Sequence, residues 1–406
     1  MSTQVVVTGI GIVSPNGFGT EEYWDATRAS RSGIRRITRF DPERYPSKLA
    51  GEVDGFEVKE HLPSRLIPQT DRMTQLALVG AEHALGDAGV STEEADEYGM
   101  GVMTASTSGG FEFGQGQLQN LWSQGSQYVS AYQSFAWFYA VNTGQISIRH
   151  GLRGPSGVVV SDQAGGLDAL AHARRLVRKG SDLILSGGVD AAICPWGWVA
   201  QLTTGDMSTD ERPDRAYLPF DAEASGYVPG EGGALLIMED AEAARRRGAT
   251  RVYGEILGYG STFDPAPDSG REPTLRKAIE IALADANVSA GDVDVVFADA
   301  AGSPEPDRIE AAAITGVFGS RAVPVTAPKT MTGRLGSGAA PLDVATAFLA
   351  MRDGVIPPTA NVTLSPDYDL DLVTEERHTP VTTALVLARG RGGFNSAVVV
   401  RAVDWN

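Results

Sequence analysis

The residues best placed to do chemistry lie in the run Val158-Val159-Val160-Ser161-Asp162-Gln163-Ala164-Gly165-Gly166-Leu167-Asp168-Ala169. Its apolar start reads as a buried strand, and its small residues open a helix expected over about 164–179. That order presents one side chain, Gln163, at a helix N-terminus among small neighbours. At such a turn the helix dipole and free backbone N–H groups would lower a thiol's pKa and stabilise an oxyanion. Glutamine has no ionisable atom and cannot form an acyl intermediate. Taken by itself, the segment reads equally well as an ordinary strand–helix turn.

The remaining reactive side chains lack such a context. The five histidines, His61, His83, His150, His172 and His378, are scattered, and each reads as a surface or helix-packing residue. Cys194, the single cysteine, sits in Ile193-Cys194-Pro195-Trp196 as a small buried filler and rules out both an internal disulfide and a multi-cysteine metal site. No metal site is expected.

A net charge of -17 argues against a nucleic-acid surface. Basic clusters at Arg174-Arg175-Arg178-Lys179 and Arg245-Arg246-Arg247 fall near the ends of expected helices, where cations complement the dipole. Docking of an acidic partner is the other reading. No stretch reaches the roughly 18 apolar residues of a membrane span, and Met1-Ser2-Thr3-Gln4 lacks the basic head of a signal peptide. A cytoplasmic protein without membrane contact is expected.

The elements that must carry Gln163 alternate along the chain. Short apolar runs without polar alternation, such as Leu183-Ile184-Leu185 and Ala234-Leu235-Leu236-Ile237-Met238, suggest strands buried on both faces of a layered α/β fold. Ala84-Leu85-Gly86-Asp87-Ala88-Gly89-Val90-Ser91 is echoed by Ala282-Leu283-Ala284-Asp285-Ala286-Asn287-Val288-Ser289. Each closes a helical pattern with Gly or Asn, where a helix end wants a left-handed residue, and each leads into an apolar strand. Two fused copies of one α/β unit follow, residues 1–250 and 251–406.

Over nearly its whole length the chain resembles a β-ketoacyl synthase of the thiolase superfamily. The likeness is strongest to the chain-length factor, or ketosynthase-β subunit, of bacterial type II aromatic polyketide synthases. It rests on Val5-Val6-Val7-Thr8-Gly9-Ile10-Gly11, the run around Gln163, Pro219-Phe220-Asp221 with Gly226-Tyr227-Val228-Pro229-Gly230-Glu231-Gly232, Asp299-Ala300-Ala301-Gly302-Ser303-Pro304, Lys329-Thr330-Met331-Thr332-Gly333-Arg334-Leu335 and Gly392-Gly393-Phe394-Asn395-Ser396. The resemblance implies an αβαβα arrangement of two pseudo-duplicated halves. It places Gln163 at the catalytic cysteine position, and Asp299 and Arg334 at the two catalytic histidines. Lys329 keeps the family lysine, and Arg391 stands at the gating phenylalanine. All five are then vestigial, and no independent condensing activity is expected.

The resemblance further implies a heterodimer with an intact ketosynthase-α subunit. Substrate would arrive on the phosphopantetheine arm of an acyl carrier protein, with no cofactor bound directly. Phe135, Trp137, Phe138, Tyr139 and Asn142 fall where the family builds its dimer interface; composition alone would serve a core equally well. The family's chain-length gate maps onto Phe111, Gly114 and Leu118, whose spacing puts them on one helical face, though Gly114 and Gly116 weaken the helix by about 1 kcal/mol each. The small residue at 114 suggests room for a product longer than eight acetate units.

Two other functions stay open. One is a decarboxylase of malonyl-carrier acting through Gln163, and the other a purely structural partner. Against the first, an ionised Asp299 about 4 Å from a developing enolate would cost roughly 4 kcal/mol at an effective dielectric near 20, on the order of three decades in rate. An Arg334 paired with Asp299 would offset part of that and fill the vacated pocket.

Overall fold

The computed structural model describes residues 3–405. Along the main path of its large sheet the strands are β1 (Val5–Ser14), β2 (Met100–Ala105), β3 (Ser156–Val159), β4 (Leu183–Asp190), β5 (Gly232–Asp240), β6 (Gly254–Phe263), β7 (Val295–Phe297), β8 (Pro324–Thr326), β9 (Asp371–Leu372), β10 (Thr383–Gly390) and β11 (Phe394–Arg401). The helices that matter to the site are α1 (Arg72–Ala88), α2 (Phe111–Gln124), α3 (Val141–His150), α4 (Ala164–Arg178), α5 (Pro195–Leu202), α6 (Leu275–Ala286), α7 (Pro304–Phe318) and α8 (Ala339–Asp353).

The strands join in the order β9-β8-β7-β10-β11-β6-β1-β5-β4-β2-β3. Outward from the β1–β6 contact, β1-β5-β4-β2-β3 on one side matches β6-β11-β10-β7-β8 on the other, with β9 added at the edge. In each half the outer three strands pair in parallel and the inner ones antiparallel. Helices α4 and α8 pack between the two halves of the sheet, where Leu167, Leu170, Val344 and Phe348 share one core with Ile10, Met103, Val295 and Val398. Helix α1 covers the outer face of one half through Leu76 and Ala84, and α6 covers the other through Ile279 and Ala282. The result is an αβαβα stack. Because every sheet surface is covered, Ala384 and Val386 of β10 face the central core while Leu385 and Leu387 face the outer one.

The sequence echo has a physical cause. Asp87 accepts the N–H of Ile10 at 2.9 Å, and Asp285 accepts that of Tyr259, also at 2.9 Å. Each aspartate thus fastens its helix end to the neighbouring strand. A Cβ on Gly9 would stand 2.3 Å from the Ala84 carbonyl oxygen, and one on Gly258 2.3 Å from that of Ala282. The helices then end on left-handed residues, Gly89 (φ 61) and Asn287 (φ 53).

Candidate functional site

Residue 163 is placed by the turn between β3 and α4. Asp162 takes a left-handed backbone (φ 53), a conformation that costs a non-glycine residue on the order of 1 kcal/mol. It is held there because its Oδ2 accepts the N–H of Arg391 at 2.9 Å. Ser161 donates to Asp168 at 2.7 Å, and Asp168 also accepts from Tyr259 at 2.7 Å, tying the turn to the other half of the molecule. Gly166 lets α4 approach closely: a Cβ there would meet Pro341 Cδ at 2.3 Å. Gln163 sits at the N-cap of α4, buried to 5% exposure. The turn is that of a nucleophile elbow carrying an amide.

Arg334 fills the space in front of it. Its Nη2 lies 3.1 Å from both Asp299 carboxylate oxygens, and its Nη1 donates to the carbonyls of Asp299 at 2.9 Å and Ala300 at 3.2 Å. With its carbonyl oxygen turned toward the guanidinium, Gln163 accepts from Nε and Nη2. These contacts use all of the donor directions a guanidinium has. Burial pulls the Arg334 pKa down, but Asp299 and the other groups facing it more than offset this and hold it above the ordinary value. Arg334 is therefore a fixed cation with no N–H left for a substrate.

A second layer supports the pair. Glu310 accepts the N–H groups of Asp299 at 2.6 Å and Ala300 at 2.8 Å, and burial pushes its carboxyl up to about 7. Asp307 accepts from Phe220 and Gly302, both at 3.0 Å, and burial raises it to about 6. Lys329 pairs with Asp343 at 2.7 Å and donates to the Ala298 carbonyl. Arg389 donates its backbone N–H to Asp299 at 2.9 Å. The structure thus brings Gln163, Asp299 and Arg334 into contact, with Lys329 one layer behind.

In front of this cluster lies a cavity of about 550 Å³, bordered by Gln163, Arg334, Phe111, Tyr227 and the 389–393 turn. Arg391 stands at its edge and pairs with Asp206 across it at 2.8 Å, both side chains about half exposed.

Phe111 borders the cavity, and its ring meets Trp196 edge-on with centroids 4.8 Å apart. Gly114 is the buried residue of α2, and a Cβ there would stand 2.9 Å from Trp196 Cζ3. The free space expected at 114 is taken up by the edge of the Trp196 ring. Leu118 lies one turn further out, partly exposed at 39%.

The interface expectation divides. Trp137, Phe138 and Tyr139 are exposed at 46%, 38% and 40%. Asn142 is not on the surface: it is buried and donates to the Val189 carbonyl at 3.1 Å, because it falls on the inward face of α3. Phe135 is half-buried, packed against the core beneath α1.

Residues read as bystanders are held by other contacts. His61 stacks on Phe56, His83 meets Phe18 edge-on, burial pushes His150 down to about 4, and His378 pairs with Glu376 at 2.9 Å. Buried Cys194 caps α5, and burial raises its thiol to about 11. Arg174 pairs with Asp285, Arg246 with Asp182 and Arg247 with Glu239.

Trp196, Arg389, Glu310 and Asp343 escaped the sequence reading. Only Glu310 carried a usable signal there, as an acid on the apolar face of α7 three residues after Asp307.

The cluster therefore keeps the scaffold of an acyl-transfer site while replacing its reactive groups, and comparison with known proteins agrees with that geometry. Residues 2–244 match the family described as beta-ketoacyl synthase, N-terminal domain, and residues 253–363 the corresponding C-terminal domain. A tetracenomycin polyketide synthase ketoacyl synthase beta subunit from Streptomyces glaucescens is 62% identical over 98% of each chain. Among solved structures, the ishigamide ketosynthase/chain length factor superposes with a TM-score of 0.90 at 29% identity over 100% of both chains. A type II polyketide synthase acyl-carrier protein in complex with its ketosynthase bound to the hexaketide gives 0.89 at 28% identity, again over 100% of both chains. With matches running through both halves of the sheet, the chain belongs to the β-ketoacyl synthase family, in the branch of the type II polyketide synthase ketosynthase β subunits.

Proposed function

We propose that this chain is the non-condensing β subunit of a heterodimer, pairing with a catalytically intact ketosynthase α subunit and setting the length of the poly-β-ketone built from malonyl units on an acyl carrier protein. The carrying observation is the Gln163–Arg334–Asp299 cluster: a nucleophile position with no nucleophile, closed by a cation whose N–H groups are all engaged. Decarboxylation through Gln163 is disfavoured on the same ground, since an enolate at this site finds Asp299 and no free donor. The division into units 1–250 and 251–406 is part of this reading, supported by the repeated strand order. The carrier protein's phosphopantetheine arm delivers substrate to the α subunit, and the wall formed by Phe111, Trp196 and Leu118 limits how far the chain extends.

The test exchanges β subunits while the α subunit is held constant. Product length should follow the β subunit. A length that follows the α subunit in every pairing would sink the length-setting role, and polyketide made by this chain alone with malonyl-carrier would sink the non-condensing one.

A further inference from the structure

The helix that carries the proposed length wall has little holding it. Along the 14 residues of α2 only Gly114 is buried. Its N-cap is Gly110, which has no side chain to cap the first turn. Nor could another residue stand there: a Cβ at 110 would meet the Ala136 carbonyl oxygen at 2.3 Å and Asp71 Cβ at 2.8 Å.

The cap comes instead from another element. Asp71, exposed by only 1%, accepts the N–H of Met73 at 2.8 Å through Oδ1 and that of Phe113 at 2.8 Å through Oδ2. One carboxylate therefore caps two helices, α1 locally and α2 from 42 residues away. Both N-termini thus present their free N–H groups to the same side chain. The other polar ties of α2 are partly exposed: Arg39 to Glu112, Gln115 accepting the Trp196 N–H at 2.7 Å, and Gln117 accepting that of Ser130 at 2.7 Å.

We infer that Asp71 is a positioning residue for chain length: by pinning Phe113 it fixes the rotation and depth of α2, and so where Phe111 and Leu118 stand in the wall. This rests on the length-setting role proposed above. Without the cap the first turn of α2 frays, and the Phe111 ring loses its seat against Trp196. The stop then becomes imprecise, and the complex releases a mixture of lengths.

Two variants separate this role from plain stability in the α/β complex. Asp71→Ser keeps a hydroxyl that can cap α1 but is too short to reach Phe113; Asp71→Ala removes both caps. Product-length distributions are read by mass spectrometry beside thermal melts, with Leu118→Trp as a direct test of the wall. For Asp71→Ser, the expected result is a melting curve close to the parent and roughly a fivefold rise in off-length product, the shift that losing one helix cap implies. Asp71→Ala should add a lowered melting temperature. If both variants lose only stability or yield while Leu118→Trp shortens the product, the positioning role is overturned and the length-setting role stands. If Leu118→Trp also leaves length unchanged, both fall.

Discussion

Trp196 lies directly over Gly114, its Cζ3 2.9 Å from where a Cβ would project. The contact is with the far edge of a ring that is 42% exposed, so the ring can swing aside at small cost. An alanine inside a helix also gains about 1 kcal/mol over glycine. Gly114→Ala should therefore fold as well as the parent or slightly better, and still move Trp196. Thermal melting and the tryptophan emission spectrum, with Trp196→Phe as reference, check this. A clearly lowered melting temperature, or an emission spectrum unchanged from the parent, would contradict the packing.

The Gln163–Arg334 contact makes a prediction about reactivity. In Gln163→Cys the thiol would sit at a helix N-terminus beside a fixed guanidinium, the setting that lowers a thiol's pKa. Iodoacetamide near neutral pH should label this one site, since Cys194 is buried with its thiol raised to about 11. The variant should nonetheless make no polyketide when paired with an α subunit whose own nucleophile is disabled. Asp299 can only accept hydrogen bonds while ionised, and the Arg334 donors that lose the Gln163 oxygen lie against the new thiolate, the rest staying on the Asp299 and Ala300 oxygens. Peptide mass mapping reads the first half and product analysis the second. Condensation by this variant would show that the cluster still supports chemistry.

Buried carboxyls give the fold a pH dependence of unusual sign. Burial raises Asp71 to about 7, Asp307 to about 6 and Glu310 to about 7, all above their unfolded values near 4. Between about pH 4 and 7 these three groups thus bind more protons in the folded chain than in the unfolded one. Stability from these groups is full below the unfolded values and is lost as pH rises through 6 and 7. Since burial of His83 and His150 acts with the opposite sign, the carboxyl contribution is read as a difference: between pH 5 and pH 8 the melting temperature of Glu310→Gln should fall less, or rise more, than that of the parent. A pH profile unchanged by the substitution would refute the assignment.

How much of this was legible beforehand depended on how far apart the partners lie in sequence. The two-unit organisation could be read because Asp87 and Asp285 each hold a strand through a contact that recurs in both halves, leaving a repeated string. Gln163, Asp299 and Arg334 could be found because each sits in its own local motif. Asp71 and Trp196 could not. Asp71 acts on α2 through Phe113 and Trp196 through Phe111, Gly114 and Gln115, across gaps of 42 and about 80 residues, and a single sequence says nothing of which segment will lie beside which. Asn142 failed for a related reason: the neighbours that turn its face of α3 inward, Val189 among them, come from a distant strand.

The same helix carries the most direct test of partner binding. Ile148 of α3 is 78% exposed and Trp122 of α2 82%, and Trp137, Phe138 and Tyr139 are exposed as well. Strand β3 ends the sheet with one edge unpaired. An exposed apolar side chain such as Ile148, on a helix that packs beside an open strand edge, suits a surface buried by another subunit. Ile148→Glu removes no internal contact of consequence, so the isolated chain should melt within about 0.5 kcal/mol of the parent. At a subunit interface the same change buries an unpaired charge, and co-purification with the α subunit should fall sharply. Size-exclusion chromatography of the co-expressed pair reads this directly. Undiminished heterodimer from Ile148→Glu would place the partner on a different face.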